Sequence, residues 1–288
     1  MTNPSPQTRR VSLSIGSVED RSPRTDAPHR RRDIAESFGT DPERYDRTRP
    51  TYPSALVEAV LAAAPDQTGA RRTVLDVGIG TGISARPFRD AGCTVLGVEA
   101  DERMAQAARD DGFDVEVARF EEWDPAGRLF DAVIAGQSWH WVDPAAGAAQ
   151  AARVLRPGGV LAIFWNAGNP EPAVAAAFAE IYRRVDTGLP FTPFTGSAAD
   201  GYAGFLDAVA ESLRATGEFA EPERWRADWE TTTTRDAWLD QVPTAGGSNL
   251  IPPATFDQIL ADMGEVIDAV GGSFTLEYAT LAVIARRS

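Results

Sequence analysis

Residues 74 to 82 read Val74-Leu75-Asp76-Val77-Gly78-Ile79-Gly80-Thr81-Gly82, and few folds accommodate such a run. The first four residues form a short buried strand. Three glycines at alternate positions then make a loop with little side chain, so backbone N–H groups can approach a ligand closely. Ile83 to Asp90 reads as the start of a helix, and a helix N-terminus behind such a loop favours negatively charged or electron-rich groups. The spacing is not that of a dinucleotide site, G-x-G-x-x-G. Here the third glycine follows two residues after the second, and the position three after it is Ile83. Asp76, just before the first glycine, would repel a pyrophosphate and suits a ligand carrying positive charge.

The stretch resembles the glycine motif of class I S-adenosylmethionine (SAM)-dependent methyltransferases. SAM carries an ammonium and a sulfonium and no phosphate. The resemblance implies that Gly78, Gly80 and Gly82 wrap its amino-acid part, and that Asp76 orients the loop or meets the ammonium, directly or through water. It also implies an α/β fold: a Rossmann-like, mostly parallel sheet of seven strands with one antiparallel, helices on both faces, and a helical cap insertion. Upstream, Tyr45-Asp46-Arg47-Thr48-Arg49-Pro50-Thr51-Tyr52-Pro53 resembles the N-terminal block of a branch of small-molecule methyltransferases that includes the trans-aconitate methyltransferase type. Its prolines keep the backbone extended and lead into an amphipathic helix over 54–64. In that branch the block folds over the SAM site, which makes Tyr45 and Arg49 candidates for holding SAM's carboxylate or a substrate acid.

A second strand over 94–99 ends in Glu99, 17 residues beyond Gly82. A carboxylate at that point accepts hydrogen bonds from both hydroxyls of a ribose. Asp101 reads as the N-cap of a helix over 102–110. After a short strand over 114–118 comes Arg119-Phe120-Glu121. By the resemblance this loop lies against adenine, with Phe120 stacking on the ring and Glu121 or the local backbone meeting its amino group. Arg119 departs from the acid or small polar residue that family members often carry there. A fourth strand over 130–136 opens into Gln137-Ser138-Trp139-His140-Trp141-Val142-Asp143-Pro144. Ligands bind outside the carboxyl ends of strands in such sheets. We assign Gln137 and Ser138 to the cofactor side and Trp139 and Trp141 to the walls of the acceptor pocket. The phrase His-Trp-Val-Asp again resembles the same branch. His140 is the candidate catalytic residue, as a base near neutral pH or as an orienting group. A helix over 145–155 stops at Arg156-Pro157-Gly158-Gly159 and feeds a strand over 159–165, another class I feature.

The chain divides into a flexible Arg/Pro/Ser-rich tail (1–32), a SAM-binding core (33–166), a helical cap (167–221) and a C-terminal return to the sheet (222–288). The cap is expected to hold helices over 172–185 and 202–215. Phe191 and Phe194, with Tyr202 and Phe205, give it a partly apolar acceptor surface. The return reads as a strand over 222–232, helices over 235–242 and 253–270, and a last strand over 273–285.

Composition narrows the chemistry. Of 288 residues, 43% are apolar, enough for a sizeable core. One cysteine excludes an internal disulfide, and two histidines leave little for a His/Cys metal cluster. All 28 basic residues are arginine, so lysine Schiff-base chemistry is ruled out. A tail of +4 sits on a body of −18, for a net −14, and a body that acidic repels phosphate backbones. No run approaches the roughly 20 apolar residues of a membrane span, and the N-terminus has no signal core. The expectation is a cytoplasmic, metal-free enzyme, without nucleic-acid or membrane partners. It would move a methyl group from SAM to a small molecule, a secondary metabolite or a carboxylic acid, by in-line displacement and release S-adenosylhomocysteine (SAH). The alternatives are an NAD(P)-dependent oxidoreductase and a non-catalytic SAM-binding regulatory protein.

Overall fold

Apolar residues at consecutive positions of the central strands require cover on both faces of the sheet, and the helices supply it. The computed structural model describes residues 36–65, 71–189 and 191–288. The tail expected over 1–32 lies outside the described residues. Helix α1 (Pro42–Thr48) is capped by Asp41, whose carboxylate accepts the Arg44 N–H, with Pro42 in the first turn. Helix α2 (Ser54–Ala63) buries Leu56, Val57 and Val60. There follow β1 (Thr73–Val77), α3 (Ala85–Asp90), β2 (Thr94–Glu99), α4 (Glu102–Asp110), β3 (Asp114–Val117), β4 (Phe130–Gly136), α5 (Pro144–Val154) and β5 (Leu155–Pro170). The last third holds α6 (Pro172–Arg184), α7 (Ala198–Thr216), β6 (Glu223–Thr234), α8 (Arg235–Gln241), α9 (Pro253–Ala269) and β7 (Ser273–Arg286).

The strands form one sheet in the order β3-β2-β1-β4-β5-β7-β6, with β7 antiparallel to both its neighbours and the other pairings parallel. This is the expected seven-stranded, mostly parallel sheet. Its order reverses between β1 and β4, and the crevice at their carboxyl ends is where such sheets take ligands. Alternate side chains serve opposite faces. Leu75, Val77, Val133, Leu161 and Ile163 enter one core, and Val74, Ala132, Ile134, Ala162 and Phe164 enter the other.

Three segments differ from expectation. The helix after the glycine loop starts at Ala85 rather than Ile83, because Gly82 N–H first closes a turn on the Ile79 carbonyl. The Arg156-Pro157-Gly158-Gly159 segment is the bulged start of β5, where Leu155 pairs with Phe130. The buried Asp131 carboxylate holds it there, accepting the Thr73 N–H and hydroxyl and the Arg156 guanidinium. At its other end β5 continues after Phe164 meets Gly136, and residues 165–170 pair only with β7. At about 3.3 Å per residue, the overhang is about 20 Å. The start of β7 carries a third apolar cluster there, with Phe178 of α6, Trp238 of α8, and Ile259 and Met263 of α9 around Phe274. By contrast α7 lies beside α5 and adds Leu206, Val209 and Leu213 to the first core. The two helices between 167 and 221 thus serve different clusters.

Candidate active site

Gly78, Gly80 and Gly82 all adopt positive φ, at 66°, 57° and 95°, a region that side chains with a Cβ avoid. Space is also short. A Cβ on Gly78 would fall 2.6 Å from Ser138 Cβ, and one on Gly82 would fall 2.8 Å from the Phe113 ring. Ser138 is held in that place by its hydroxyl, which donates to the Val77 carbonyl. Gly78→Ala is therefore expected to lower Tm by about 5 °C or more, from a strained φ and a displaced Ser138. An unchanged melting curve would mean that the loop does not rest against Ser138.

Beneath the loop Asp76 is fully buried. Its Oδ2 accepts the Ser84 hydroxyl at 2.6 Å, while Oδ1 is buried without a hydrogen-bond partner among the described residues. Burial raises its pKa to about 8, opposed by the Ser84 hydrogen bond and aided by the charge of Glu99. Glu99 stands across the loop. One oxygen accepts the Gly80 N–H at 2.9 Å, and the other accepts the N–H groups of Ala100 and Asp101, each at 2.9 Å. Burial pushes its pKa up, and these three donors pull against it.

The N-terminal block closes over this end of the sheet. Arg44 and Arg47 converge on Asp240 at 2.8 and 2.9 Å, Asp46 accepts from Arg86 at 2.7 Å, and Asn166 donates to the Thr51 carbonyl at 3.1 Å. Arg49 is held differently. Its Nη2 donates to the Thr244 carbonyl, its guanidinium lies 5.2 Å from the Tyr45 ring centre, and its buried Nε meets no partner among the described residues. Burial pushes the hydroxyls of Tyr52, Tyr202 and Tyr278 above their ordinary pKa, and in all three Arg49 opposes that shift. The Tyr52 hydroxyl lies where a Cβ on Gly136 would come within 3.0 Å, and it feels Asp76 as well as Arg49. Asp76 Oδ1 and Arg49 Nε are thus two buried polar atoms left without a hydrogen-bond partner among the described residues.

A second group of side chains gathers after β4. Gln137 takes φ of 58°, donates from Nε2 to the Asn166 carbonyl at 2.9 Å, and accepts the Tyr202 hydroxyl at 3.4 Å. Strain of this kind on a non-glycine residue persists only where surrounding contacts enforce it. His140 is half-buried in the turn over 139–141, with the Trp141 ring 4.6 Å away and the Phe205 ring 6.2 Å away. Its Nδ1 accepts the Trp165 indole N–H at 3.3 Å. Contacts continue from Trp141 to Phe38, from Phe38 to Tyr45, and from Trp165 to Tyr202, so the rings form a circuit running from His140 towards Arg49. Burial lowers the His140 pKa to about 4.

Several expected contacts are placed elsewhere. Phe120 is 4% exposed and packs inward near Trp139, so its ring lies in the core. Glu121 is committed to the Asp143 N–H at 2.8 Å and to Arg119, which ties the two loops together. Trp139 is 2% exposed and serves the core rather than a pocket wall. Phe191 is 63% exposed, and Phe194 packs with Phe178, Tyr182 and Trp238 on the overhang. Gln137, expected on the cofactor side, commits its amide to Asn166 and Tyr202. The reading missed Phe38, Ser84, Trp165 and Asn166. Trp165 and Asn166 follow directly on Phe164, the last β5 residue that pairs with β4, and the rule on carboxyl ends of strands pointed there.

Residues 75–163 match the methyltransferase domain family. The chain is 33% identical over 215 residues, covering 74% of itself and 77% of the relative, to an uncharacterized methyltransferase of Mycobacterium tuberculosis. To a malonyl-[acyl-carrier protein] O-methyltransferase of Enterobacter lignolyticus it is 32% identical over 190 residues, covering 65% of itself and 70% of the relative. Its fold is similar to the solved structure of a protein assigned as a type II methyltransferase from Anaeromyxobacter dehalogenans. That match has a TM-score of 0.59 and 24% identity, and covers 83% of this chain and 97% of that one. The chain belongs to the class I SAM-dependent methyltransferases. It is accordingly an enzyme that uses SAM to methylate an acceptor. The residues present fit this group: Gly78, Gly80 and Gly82 hold a positive-φ backbone, the buried Asp76 Oδ1 has no hydrogen-bond partner among the described residues, and Glu99 places a carboxylate beside the Gly80 N–H. Among the described residues no three His, Cys, Asp or Glu side chains converge as a metal site. No described helix is long and apolar enough to cross a membrane.

Proposed function

We propose that this methyltransferase acts on a small-molecule acceptor, a secondary metabolite or a carboxylic acid, as the trans-aconitate type does. The observation that carries the cofactor side is the pair of buried, unpartnered atoms Asp76 Oδ1 and Arg49 Nε. The amino-acid end of SAM is a zwitterion, so its ammonium suits Asp76 and its carboxylate suits Arg49 with Tyr45 alongside. Glu99 then takes the ribose, and Gly78, Gly80 and Gly82 admit the ligand to the backbone. Bound SAM supplies a methyl group already activated on a sulfonium. The protein's part is to align the acceptor and exclude water. The acceptor side is the group of Trp141, His140, Phe205 and Tyr202, backed by the buried Trp165, which suits a ligand with an apolar body and few polar groups. Two features support a small acceptor: the N-terminal block clasped to Asp240 narrows the approach, and the acidic body disfavours a nucleic acid.

Calorimetric titration with SAH, with NADH as control, tests the cofactor. Micromolar SAH binding and no NADH binding are expected. NADH binding alone would overturn the assignment. Release of SAH in the presence of a panel of small mono- and polycarboxylic acids, trans-aconitate included, tests the acceptor class. Turnover confined to macromolecular acceptors would exclude it.

A further inference from the structure

We propose that His140 serves the acceptor as a fixed hydrogen-bond donor rather than as a base, and that Trp165 is the positioning residue that fixes it. The Trp165 indole N–H donates to His140 Nδ1 at 3.3 Å. An indole nitrogen is a donor only, so Nδ1 must present its lone pair and the single proton of the neutral imidazole sits on Nε2. Nε2 meets no hydrogen-bond partner among the described residues. The atom that His140 has left for a ligand is therefore an N–H. Trp165 cannot easily turn away: it is 1% exposed within the first core, and its neighbour Asn166 is bonded to Thr51 and Thr280.

The groups around His140 come from three elements. They are Trp141 of its own turn, Trp165 of β5, and Phe205 of α7 with Tyr202 behind it. Tyr202 is the one titratable group in that set, and burial pushes its hydroxyl up, so it is neutral wherever an imidazole titrates. None of these groups carries a negative charge to set against an imidazolium, and burial lowers the pKa of His140.

This inference rests on the methyl transfer proposed above and narrows its acceptor. Methylation of a neutral hydroxyl or amine releases a proton that a base must take. Methylation of an oxyanion releases none: the oxygen lone pair forms the new bond to carbon while the carbon–sulfur pair returns to sulfur. An imidazole that already holds its proton suits an acceptor that arrives ionised. On a carboxylate, one oxygen takes the Nε2 hydrogen and the other is free to react.

The test needs no known acceptor. The chain has two histidines, so nitrogen-detected spectra of 15N-histidine-labelled protein with SAH bound give two ring systems, separated by the variant His29→Ala. From about pH 5.5 to about 8 the His140 ring should remain neutral with its hydrogen on Nε2. Trp165→Phe keeps a ring and removes the N–H, and should give a mixture of both tautomers. A wild-type hydrogen on Nδ1, or a ring that titrates near its ordinary value, would overturn the proposal. With a carboxylate from the acceptor panel, His140→Ala should lower kcat/KM about 10- to 100-fold. His140→Gln, whose amide offers a donor but no base, should recover most of that loss, and glutamine as inactive as alanine would overturn the proposal. SAH calorimetry on the same samples separates the failures. Absent SAH binding sinks the cofactor reading, whereas normal SAH binding with the wrong tautomer sinks this inference alone.

Discussion

Titration of the protein with SAH at pH 7 is expected to release about one proton per molecule bound. The reason is Asp76. In the free protein burial holds its pKa at about 8, so the group is mostly protonated at neutral pH. The ionised form holds an ammonium far more strongly than the protonated one, so binding should expel the proton. Affinity should then rise about tenfold per pH unit between about pH 6 and 8 and level off above. Titrations in two buffers of different ionisation enthalpy measure the proton directly. Asp76→Asn should abolish both the release and the slope. It should also weaken SAH binding about 10- to 100-fold, since a charged hydrogen bond is replaced by a neutral one. The folded protein should tolerate it, because asparagine resembles the protonated acid that the free site contains. Stability has its own sign. The folded pKa lies above the ordinary aspartate value, so between about pH 4 and 8 the unfolded chain gives up a proton that the folded one keeps. The contribution of Asp76 to stability is thus full at the acid end and is lost as pH rises towards 8, and SAH restores it. An affinity flat across this range, with no proton released, would mean that Asp76 is ionised in the free protein or that it never meets the ammonium.

The parts of the site that could be read from the sequence are those whose chemistry is local. The glycine loop was legible because a backbone at φ of 57° to 95° pressed against Ser138 and Phe113 needs glycine. Glu99 was legible because one crossover helix and one strand separate it from the loop that it bonds. The alternation of strands and helices was legible through β5, whereas seven strands with one antiparallel were what the family resemblance implied. His140 was legible as a residue, whereas its protonation was not, because the group that sets it, Trp165, arrives from the neighbouring strand. Arg49 was legible as part of a phrase, but its surroundings at Thr244, Tyr202 and Tyr278 come from the last third of the chain. The aromatics misled for one physical reason. An aromatic beside a functional loop gains as much by turning into the core, and Phe120 and Trp139 do so in turns whose orientation no periodicity records. Phe191 and Phe194 follow from the overhang of β5, which carries the segment after α6 out past the sheet edge and leaves the ring circuit to Tyr202 and Phe205.

Glu99→Ala is expected to weaken SAH binding by at least about 100-fold, since two hydrogen bonds from ribose hydroxyls to a charged acceptor are lost together. The variant also frees the N–H groups of Gly80, Ala100 and Asp101, which now share one carboxylate. Gly80 lies in the glycine loop, so part of the effect will come through a loosened loop. Glu99→Gln separates the two causes. Its amide can accept on one side only, so it must set an NH2 against Gly80 or against the Ala100 and Asp101 pair, and it should bind SAH nearly as poorly as the alanine variant. A ligand that lacks the amino-acid end makes the sharper test. Methylthioadenosine keeps the ribose and presents neither ammonium nor carboxylate. Glu99→Ala should weaken it about as much as it weakens SAH, whereas Asp76→Asn should leave it nearly unchanged. In the proposed mode the two residues meet different parts of the ligand, the amino-acid end and the ribose, so their effects on SAH should then add, apart from the charge coupling between Asp76 and Glu99. Equal sensitivity of methylthioadenosine to both variants would mean that Asp76 acts by shaping the loop, and that the ammonium is held by backbone carbonyls instead.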